Sequence, residues 1–460
     1  MPARWRVLLV LVLYAGYLPL SGYAPDQFRF DAAEYWELSL KFTPSGHFSL
    51  LAYDSPIRGY LGPLLLVPAR LLCHFTHCSV ITGARILGAG WAALLFGLAI
   101  PVLWTRLSPR PLTAIRWLLL VGLTFIFWRD YFNFTLSDMP ALTVLVLGLV
   151  ALGRPGWVWA GLAGLLLAAA INIRPLYLAS APGWLWLLLA APLPARAQVR
   201  RVASLLVGFV IILLPQLLIN LRHFRQPTPL VLTSPPGEPS LYLRQLAWGT
   251  AFQRYETSLI PEYPRSLVYA DPSGQRALAT VPGGRFSSYG QFLELVGRQP
   301  GAAGGRYLRH LFNGLDLWFP TPYPRRLHPP GQGGLRLLNY ALLGLGTWLA
   351  GAALWRARRW QWRLTFGHRN PTVAVLLALL LPCLLVVPTL IECRFLLPLH
   401  LLLLTGVVGG WRPGVWWREL GGPVRRIGLL ALALGWLWGC WQLSAATARQ
   451  LRPSSEASAE

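Results

Sequence analysis

Apolar stretches long enough to cross a bilayer recur along the whole chain. They fall at about 5–22, 79–105, 112–128, 139–153, 157–171, 175–191, 202–219, 336–354, 371–391, 395–411 and 424–443. A bilayer core needs about 17–25 apolar residues per helix. The pattern therefore predicts an all-α polytopic membrane protein with about eleven transmembrane helices. The runs between 139 and 191 are short, and Gly and Pro soften their edges. The first run has the length of a signal-peptide core, but no clean small-x-small site follows, so it reads as a retained helix.

Two long segments break this pattern and divide the chain. Residues 1–219 form an N-terminal transmembrane module whose first loop spans 21–78, 220–335 a large loop or small cap, 336–443 the C-terminal helices, and 444–460 a polar tail. Within 21–78, residues 31–42 can form a helix with Asp31, Glu34, Tyr35 and Leu38 near one face, at i, i+3, i+4 and i+7. Residues 59–72 are apolar but short for a span, and read as a helix lying at the membrane interface. Residues 220–335 are rich in Pro and Gly, yet hold Trp248, Tyr255, Tyr263 and Trp318, too apolar a set for a plain linker.

Composition sharpens the class. The chain is 55% hydrophobic and only 13% charged, against about 25% charged in soluble domains. Its net charge of +24 comes almost wholly from Arg, since Lys41 is the single lysine. No basic aromatic module accompanies that charge, so no nucleic-acid partner is expected. Many arginines sit instead in short gaps between apolar runs. With a cytoplasmic N-terminus, the inner gaps hold Arg4, Arg6, Arg106, Arg110, Arg116, Arg154, Arg196, Arg200, Arg201, Arg356, Arg358, Arg359, Arg363, Arg369, Arg412, Arg418, Arg425 and Arg426. The short outer turns hold Arg129, Arg174 and Arg394. That asymmetry orients the chain, with 21–78 and 220–335 outside. Of 17 acidic residues, only Glu419 falls on the inner side. A working outer face accounts for this segregation; the greater length of the outer loops accounts for part of it.

Candidate chemistry gathers at the outer edges. Asp31 opens a predicted helix just after the first span and can serve as a general base. Glu34 follows at the spacing of a capping box, which gives Asp31 a purely structural alternative. Asp138, in the run Asn133-Phe134-Thr135-Leu136-Ser137-Asp138, is a second acid or a helix cap, and Asp130 a nearby alternative. Arg58, Arg174 and Arg394 offer planar forks suited to phosphate. Snorkelling, or a Glu392–Arg394 neighbour pair, is the plainer reading. Cys73-His74-Phe75-Thr76-His77-Cys78 admits a disulfide, free thiols or a metal site, although its spacing matches no standard zinc module. No Walker loop, GxGxxG, HExxH or GxSxG is present, which disfavours a nucleotide donor held by a soluble domain.

These residues, in this order, resemble the GT-C superfamily of glycosyltransferases, which use polyprenyl-phosphate sugars. The likeness is to the bacterial aminoarabinose transferase and protein O-mannosyltransferase group. It covers about residues 1–410 and rests on Asp31 and Tyr35, Arg58-Gly59-Tyr60-Leu61-Gly62-Pro63, Leu136-Ser137-Asp138, Ile173-Arg174-Pro175, 215–220 and Arg394-Phe395-Leu396-Leu397-Pro398. The resemblance implies a GT-C helical bundle in a bacterial cytoplasmic membrane, with its site facing out. Asp31 is then the catalytic base and Asp138 the second acid. Arg58, Arg174, Arg394, Tyr35 and Glu34 line the donor site. The donor is a polyprenyl-phosphate sugar; the acceptor is a hydroxyl on a glycan, lipid or protein. Ala32 stands where the family often has a second acid, and no large soluble C-terminal domain follows, which favours transfer of a single sugar. No cofactor is implied with certainty, and metal use stays open. Two rival readings are a transporter or lipid flippase without covalent chemistry, and a membrane scaffold.

Overall fold

The computed structural model describes residues 1–20, 28–43, 46–107, 111–191, 193–235, 237–359, 371–410 and 422–452; at 106–107 and 353–359 the backbone alone is described. Arg110, Arg363, Arg369, Arg412, Arg418, Glu419 and the end of the tail from 453 lie outside these residues. In chain order the helices are α1 (Ala3–Tyr17), α2 (Phe30–Leu38), α3 (Leu61–Leu64), α4 (Val67–Thr76), α5 (Val80–Ala92), α6 (Ile100–Leu107), α7 (Ala114–Trp128), α8 (Asp138–Leu152), α9 (Trp157–Ile173), α10 (Ala181–Leu189) and α11 (Ala195–Phe224). After α12 (Leu241–Ala251) come strands β1 (Phe252–Ser258) and β2 (Arg265–Ala270). Then follow α13 (Pro272–Leu278), α14 (Tyr289–Arg298), α15 (Pro300–Leu315), α16 (Gln332–Arg359), α17 (Pro371–Val386), α18 (Leu397–Gly410) and α19 (Pro423–Ala448).

A helix lies on every apolar stretch the sequence marks out. Among the described residues, five helical segments are long and apolar enough to cross a membrane: Ala3–Leu20, Val80–Thr105, Ala195–Phe224, Cys393–Gly410 and Pro423–Ala448. Leu61–Thr76, Asp138–Leu152, Trp157–Ile173, Pro175–Leu189 and Pro371–Val386 are apolar but shorter. The faces of the long helices carry exposed aliphatics, such as Val199, Leu206, Val210 and Leu214 on α11 and Ile427, Leu430 and Leu434 on α19. Water penalises apolar faces of that extent, and lipid does not.

The chain separates into two compact units, each drawn from three stretches. Unit 1 comprises Met1–Ala114, Trp128–Leu241 and Thr365–Pro382; unit 2 comprises Ile115–Phe127, Tyr242–Leu364 and Cys383–Glu460. The segment 220–335 is thus shared, its start belonging to unit 1.

In unit 1, α9 packs tightly along α11. Gly164 on α9 faces the backbone carbonyl of Leu205, and Gly208 on α11 faces that of Gly161, with no room for a Cβ at either glycine. Small residues replace the hydrophobic effect as the means of bringing helices together in lipid. Between α5 and α6 the helix widens to a π turn over Ala93–Ala99. The carbonyl of Gly97 there accepts a 3.1 Å hydrogen bond from Arg6 Nε of α1. The predicted interfacial helix at 59–72 is two helices, α3 and α4, meeting at 65–66. Helix α4 buries Ala69 and exposes Leu71 and Phe75.

Unit 2 adds an element that the all-α expectation lacked. Strands β1 and β2 pair antiparallel, with Tyr255 opposite Val268 and Glu256 opposite Leu267. Arg254, 1% exposed, is the centre of a buried polar core. Its Nη2 reaches Glu256 Oε1 at 2.7 Å, its Nη1 reaches the Asp316 carbonyl at 2.9 Å, and its guanidinium lies 4.2 Å over the Trp318 ring. Tyr340 of α16 donates to Asp316 Oδ1 at 2.9 Å.

The segment expected as a polar tail, 444–460, begins inside α19. Helix α19 runs to Ala448, Ser444 donates to Asp316, and Thr447 donates to Asn313 Oδ1 at 3.0 Å. Beyond it, Ala270 N bonds Gln450 O and Arg452 N bonds Val268 O, each at 2.9 Å, so 450–452 lie along the free edge of β2. The Ser444 hydroxyl thus satisfies a buried carboxylate, and the backbone of 450–452 a strand edge.

Removing Arg254 leaves Glu256 and Asp316 buried without their cation. Arg254→Ala should lower stability by about 3–5 kcal/mol, measured as denaturant unfolding of the detergent-solubilised protein; a change within error would show the carboxylates do not rely on it.

Candidate functional site

In unit 1 the expected site residues gather into two carboxylate–arginine clusters. Asp31, Glu34 and Tyr35 stand on α2, which the chain enters through Phe30 at φ 55°. That left-handed backbone is costly for a residue with a bulky side chain. The N-cap position belongs to Arg29, and no side chain caps it, so the capping-box arrangement of Asp31 and Glu34 is not formed. Both acids turn instead to Arg58. Glu34 takes its guanidinium twice, Oε1 to Nε at 3.2 Å and Oε2 to Nη2 at 2.8 Å; Asp31 Oδ1 takes Nη2 at 3.1 Å. The guanidinium lies 5.0 Å above the Tyr35 ring. Burial works against the Arg58 charge, but Tyr35, Glu34 and Asp31 outweigh it and raise its pKa. Asp31 and Glu34 keep about a third of their side-chain surface open (33% and 34%), so the cluster is reachable.

The second cluster is Asp138 with Arg174. Asp138 lies in the first turn of α8, where the helix dipole favours an anion, and forms an ion pair with Arg174 Nη1. Arg174 sits at the break between α9 and the 3-10 turn Pro175–Ser180. Two hydrogen bonds tie the clusters together. Thr135 Oγ1 donates to the Ala32 carbonyl at 2.6 Å, docking the turn before Asp138 on α2 beside Asp31. Leu61 N donates to Asn172 Oδ1 at 2.9 Å, docking the Arg58 turn two residues from Arg174. Gly59 sits against the Asn172 carbonyl so closely that a Cβ cannot fit, which explains a glycine directly after Arg58.

Arg394 belongs to unit 2. Its Nε and Nη2 bind Glu392 Oε2 and Oε1 at 2.6 and 3.2 Å, so the neighbour pair considered in the sequence is present.

Three features escaped the sequence. The first is an amide ladder. Asn172 Nδ2 donates to Gln216 Oε1 at 2.9 Å, Gln216 Nε2 to Asn220 Oδ1 at 2.9 Å, and Asn220 Nδ2 to the carbonyls of Thr228 and Leu230 at 2.7 and 2.8 Å. Gln216 Oε1 also receives Tyr60 N at 3.3 Å. The signal available was three amides in otherwise apolar helices. The second is an apolar cavity of about 220 Å³ beside this ladder, lined by Ile171, Asn172, Pro175, Leu178, Leu213, Pro229, Leu230, Val231 and Thr233.

The third is Asp130, weighed above only as an alternative to Asp138. It is buried in the turn after α7, where it accepts from Tyr17 Oη at 2.8 Å and Asn133 Nδ2 at 2.9 Å. Burial pushes its carboxyl up to about 6, against the opposing pull of Tyr17, Arg129 and Asn133. Among the described residues, no group of three or more His, Cys, Asp or Glu side chains is placed to hold a metal ion.

Comparison with protein-family models, with curated proteins and with solved structures gives no match. Functional assignment therefore rests on the geometry.

Two outcomes follow from the polar contacts. The raised carboxyl of Asp130 means that the folded state holds its proton more tightly than the unfolded chain. Its ionisation penalty is absent below the unfolded value near 3.8 and grows until the pH passes about 6. Asp130→Asn should flatten the fall in thermal stability across that window, and an unchanged pH profile would count against it. Gln216→Leu leaves Tyr60 N, Asn172 and Asn220 short of a partner, and should cost about 1–3 kcal/mol in the same unfolding assay.

Proposed function

We propose that this protein is a membrane glycosyltransferase of the GT-C type, with about eleven spans and a cytoplasmic N-terminus. It moves a single sugar from a polyprenyl-phosphate donor to an acceptor hydroxyl on the outer face of a bacterial cytoplasmic membrane. The observation that carries this reading is the convergence of Asp31–Glu34–Arg58 and Asp138–Arg174, tied through Thr135 and Asn172, next to an apolar cavity. Acid and guanidinium beside an apolar hollow suit a ligand that is phosphate at one end and hydrocarbon at the other.

In this mechanism Asp31 accepts the proton of the acceptor hydroxyl. The hydroxyl oxygen attacks the anomeric carbon as the bond to the phosphate oxygen breaks, inverting that centre and releasing polyprenyl phosphate. Arg58 and Arg174 stabilise the charge that develops on the departing phosphate, where fixed cations act most strongly. Glu34 orients Arg58 through the paired contacts, and Tyr35 supports the guanidinium by its ring. Asp138 fixes Arg174. A transporter reading needs ionisable groups deep in the spans; Asp31 and Asp138 stand in the first turns of their helices.

A general base contributes about 10²–10⁴-fold. In proteoliposomes supplied with polyprenyl-phosphate hexoses and pentoses, Asp31→Asn should fold normally and lose transfer by about that factor. Release of polyprenyl phosphate is the readout. Near-normal turnover by the variant removes Asp31 from the base role. Sugar flux without a covalent product would favour the transporter.

A further inference from the structure

Outside the site, a second piece of chemistry sits at the corner between α4 and α5. Cys73 lies in the last turns of α4. His77 ends that helix in the left-handed conformation, at φ 52°, and turns the chain back on itself. Cys78 follows, and Ser79 then caps α5 by accepting from Thr82 N at 3.2 Å. The result places the Cys73 and Cys78 sulfurs 3.2 Å apart. Cys73 is held there from two sides. Its thiol points at the Ser79 carbonyl, 3.4 Å away, and Gly83 of α5 leaves no room for a Cβ beneath its sulfur. Both cysteines are half-buried, so an oxidant can reach them, whereas Cys383, Cys393 and Cys440 are buried.

We infer that Cys73 and Cys78 are a redox-active pair that closes to a disulfide in the mature protein, stapling the end of α4 to the start of α5. The chemistry balances with a disulfide as oxidant, either glutathione disulfide or a thiol oxidase of the compartment. The Cys78 thiolate attacks one oxidant sulfur and expels the other as a thiol. The Cys73 thiolate then attacks the Cys78 sulfur of this mixed disulfide, forming the 73–78 bond and expelling the remaining oxidant sulfur as the second thiol. Two protein thiols lose two protons and two electrons, and the oxidant becomes two thiols. The order of attack follows from environment. Hydrogen bonds from Thr76 and Cys73 lower the Cys78 thiol, while burial first and then Cys78 push Cys73 up to about 11. His74 and His77 flank the pair but are exposed.

The bond would fix the far end of the helix pair that begins directly after Arg58. Arg70 of α4 also donates to the Ser39 carbonyl at 2.8 Å, so α4 is tied to the segment that follows α2. The staple therefore holds the scaffold on which the Arg58 cluster stands. That an oxidant meets the pair in cells rests on the outward placement of 21–78 given under the proposed function. That the sulfurs can close does not.

Two measurements separate these points. The purified full-length protein is first equilibrated with glutathione disulfide, then denatured and alkylated. Of five cysteines, two should become unreactive; the intact mass before alkylation should be lower by about 2 Da, and the digest should hold a peptide carrying the 73–78 bond. Cys73→Ser and Cys78→Ser should each abolish that loss, and Cys73→Ser should trap a glutathione adduct on Cys78. Full alkylation of all five after oxidation overturns the pairing. Protein quenched directly from growing cells is then mapped without added oxidant. A closed pair supports the whole inference. An open pair in cells that closes in the purified protein overturns the native bond and the outward placement, leaving the pairing chemistry intact.

Discussion

Gln216 lies in the C-terminal third of a 30-residue helix and is wholly buried. An amide buried away from water must find its partners within the protein. Gln216 finds them on Asn172, Asn220 and the backbone of Tyr60. Each such bond in a membrane contributes modestly, on average about 0.6 kcal/mol, so their importance is positional. One side chain sets the distance between α9, α11 and the Arg58 turn. Through Asn172 that setting reaches Leu61, and through Asn220 it reaches the segment at 228–230 that walls the cavity. The candidate site is built on this ladder.

The two clusters then divide the electrostatic work. Arg58 has two carboxylates and partial exposure, so its environment is negative and open. Arg174 has Asp138 in a tighter, drier setting at the start of α8. A buried pair of this kind is poor in net stability and strong in fixing geometry. Its neighbour Asn172 carries that geometry into the ladder. Unit 2 repeats the theme with Arg254, Glu256 and Asp316, where the charges are sealed inside and serve the fold.

Much of this was legible in the amino-acid sequence, for a simple reason. Long apolar runs can be little other than helices in lipid, so helix positions followed from hydropathy. The spacing of Asp31, Glu34 and Tyr35 put them on one face, and that face does meet Arg58. Pairings across the chain were another matter. Nothing local tells Asp138 to choose Arg174, 36 residues on, or tells Thr135 to reach Ala32. Gln216 was hidden because one amide in an apolar helix reads as an imperfection. Nor does polarity at 444–452 say what it serves: Ser444 and Thr447 answer Asp316 and Asn313. Helix α7 joins unit 2 although its neighbours in the chain join unit 1, a choice made by packing alone.

The long-range hydrogen bonds also carry a constraint of parity. A bond between two segments outside the hydrocarbon requires both to be on one side, so the chain between them crosses an even number of times. Thr135 to Ala32 encloses two of the apolar runs, 79–105 and 112–128. Leu61 to Asn172 encloses four, and Thr233 N to the Pro56 carbonyl encloses six. Arg452 to Val268 encloses the last four. Each count is even, and none of these bonds uses an arginine side chain. Under the eleven-span topology proposed above, the edge bond on β2 makes α19 a return crossing that ends on the side of the hairpin.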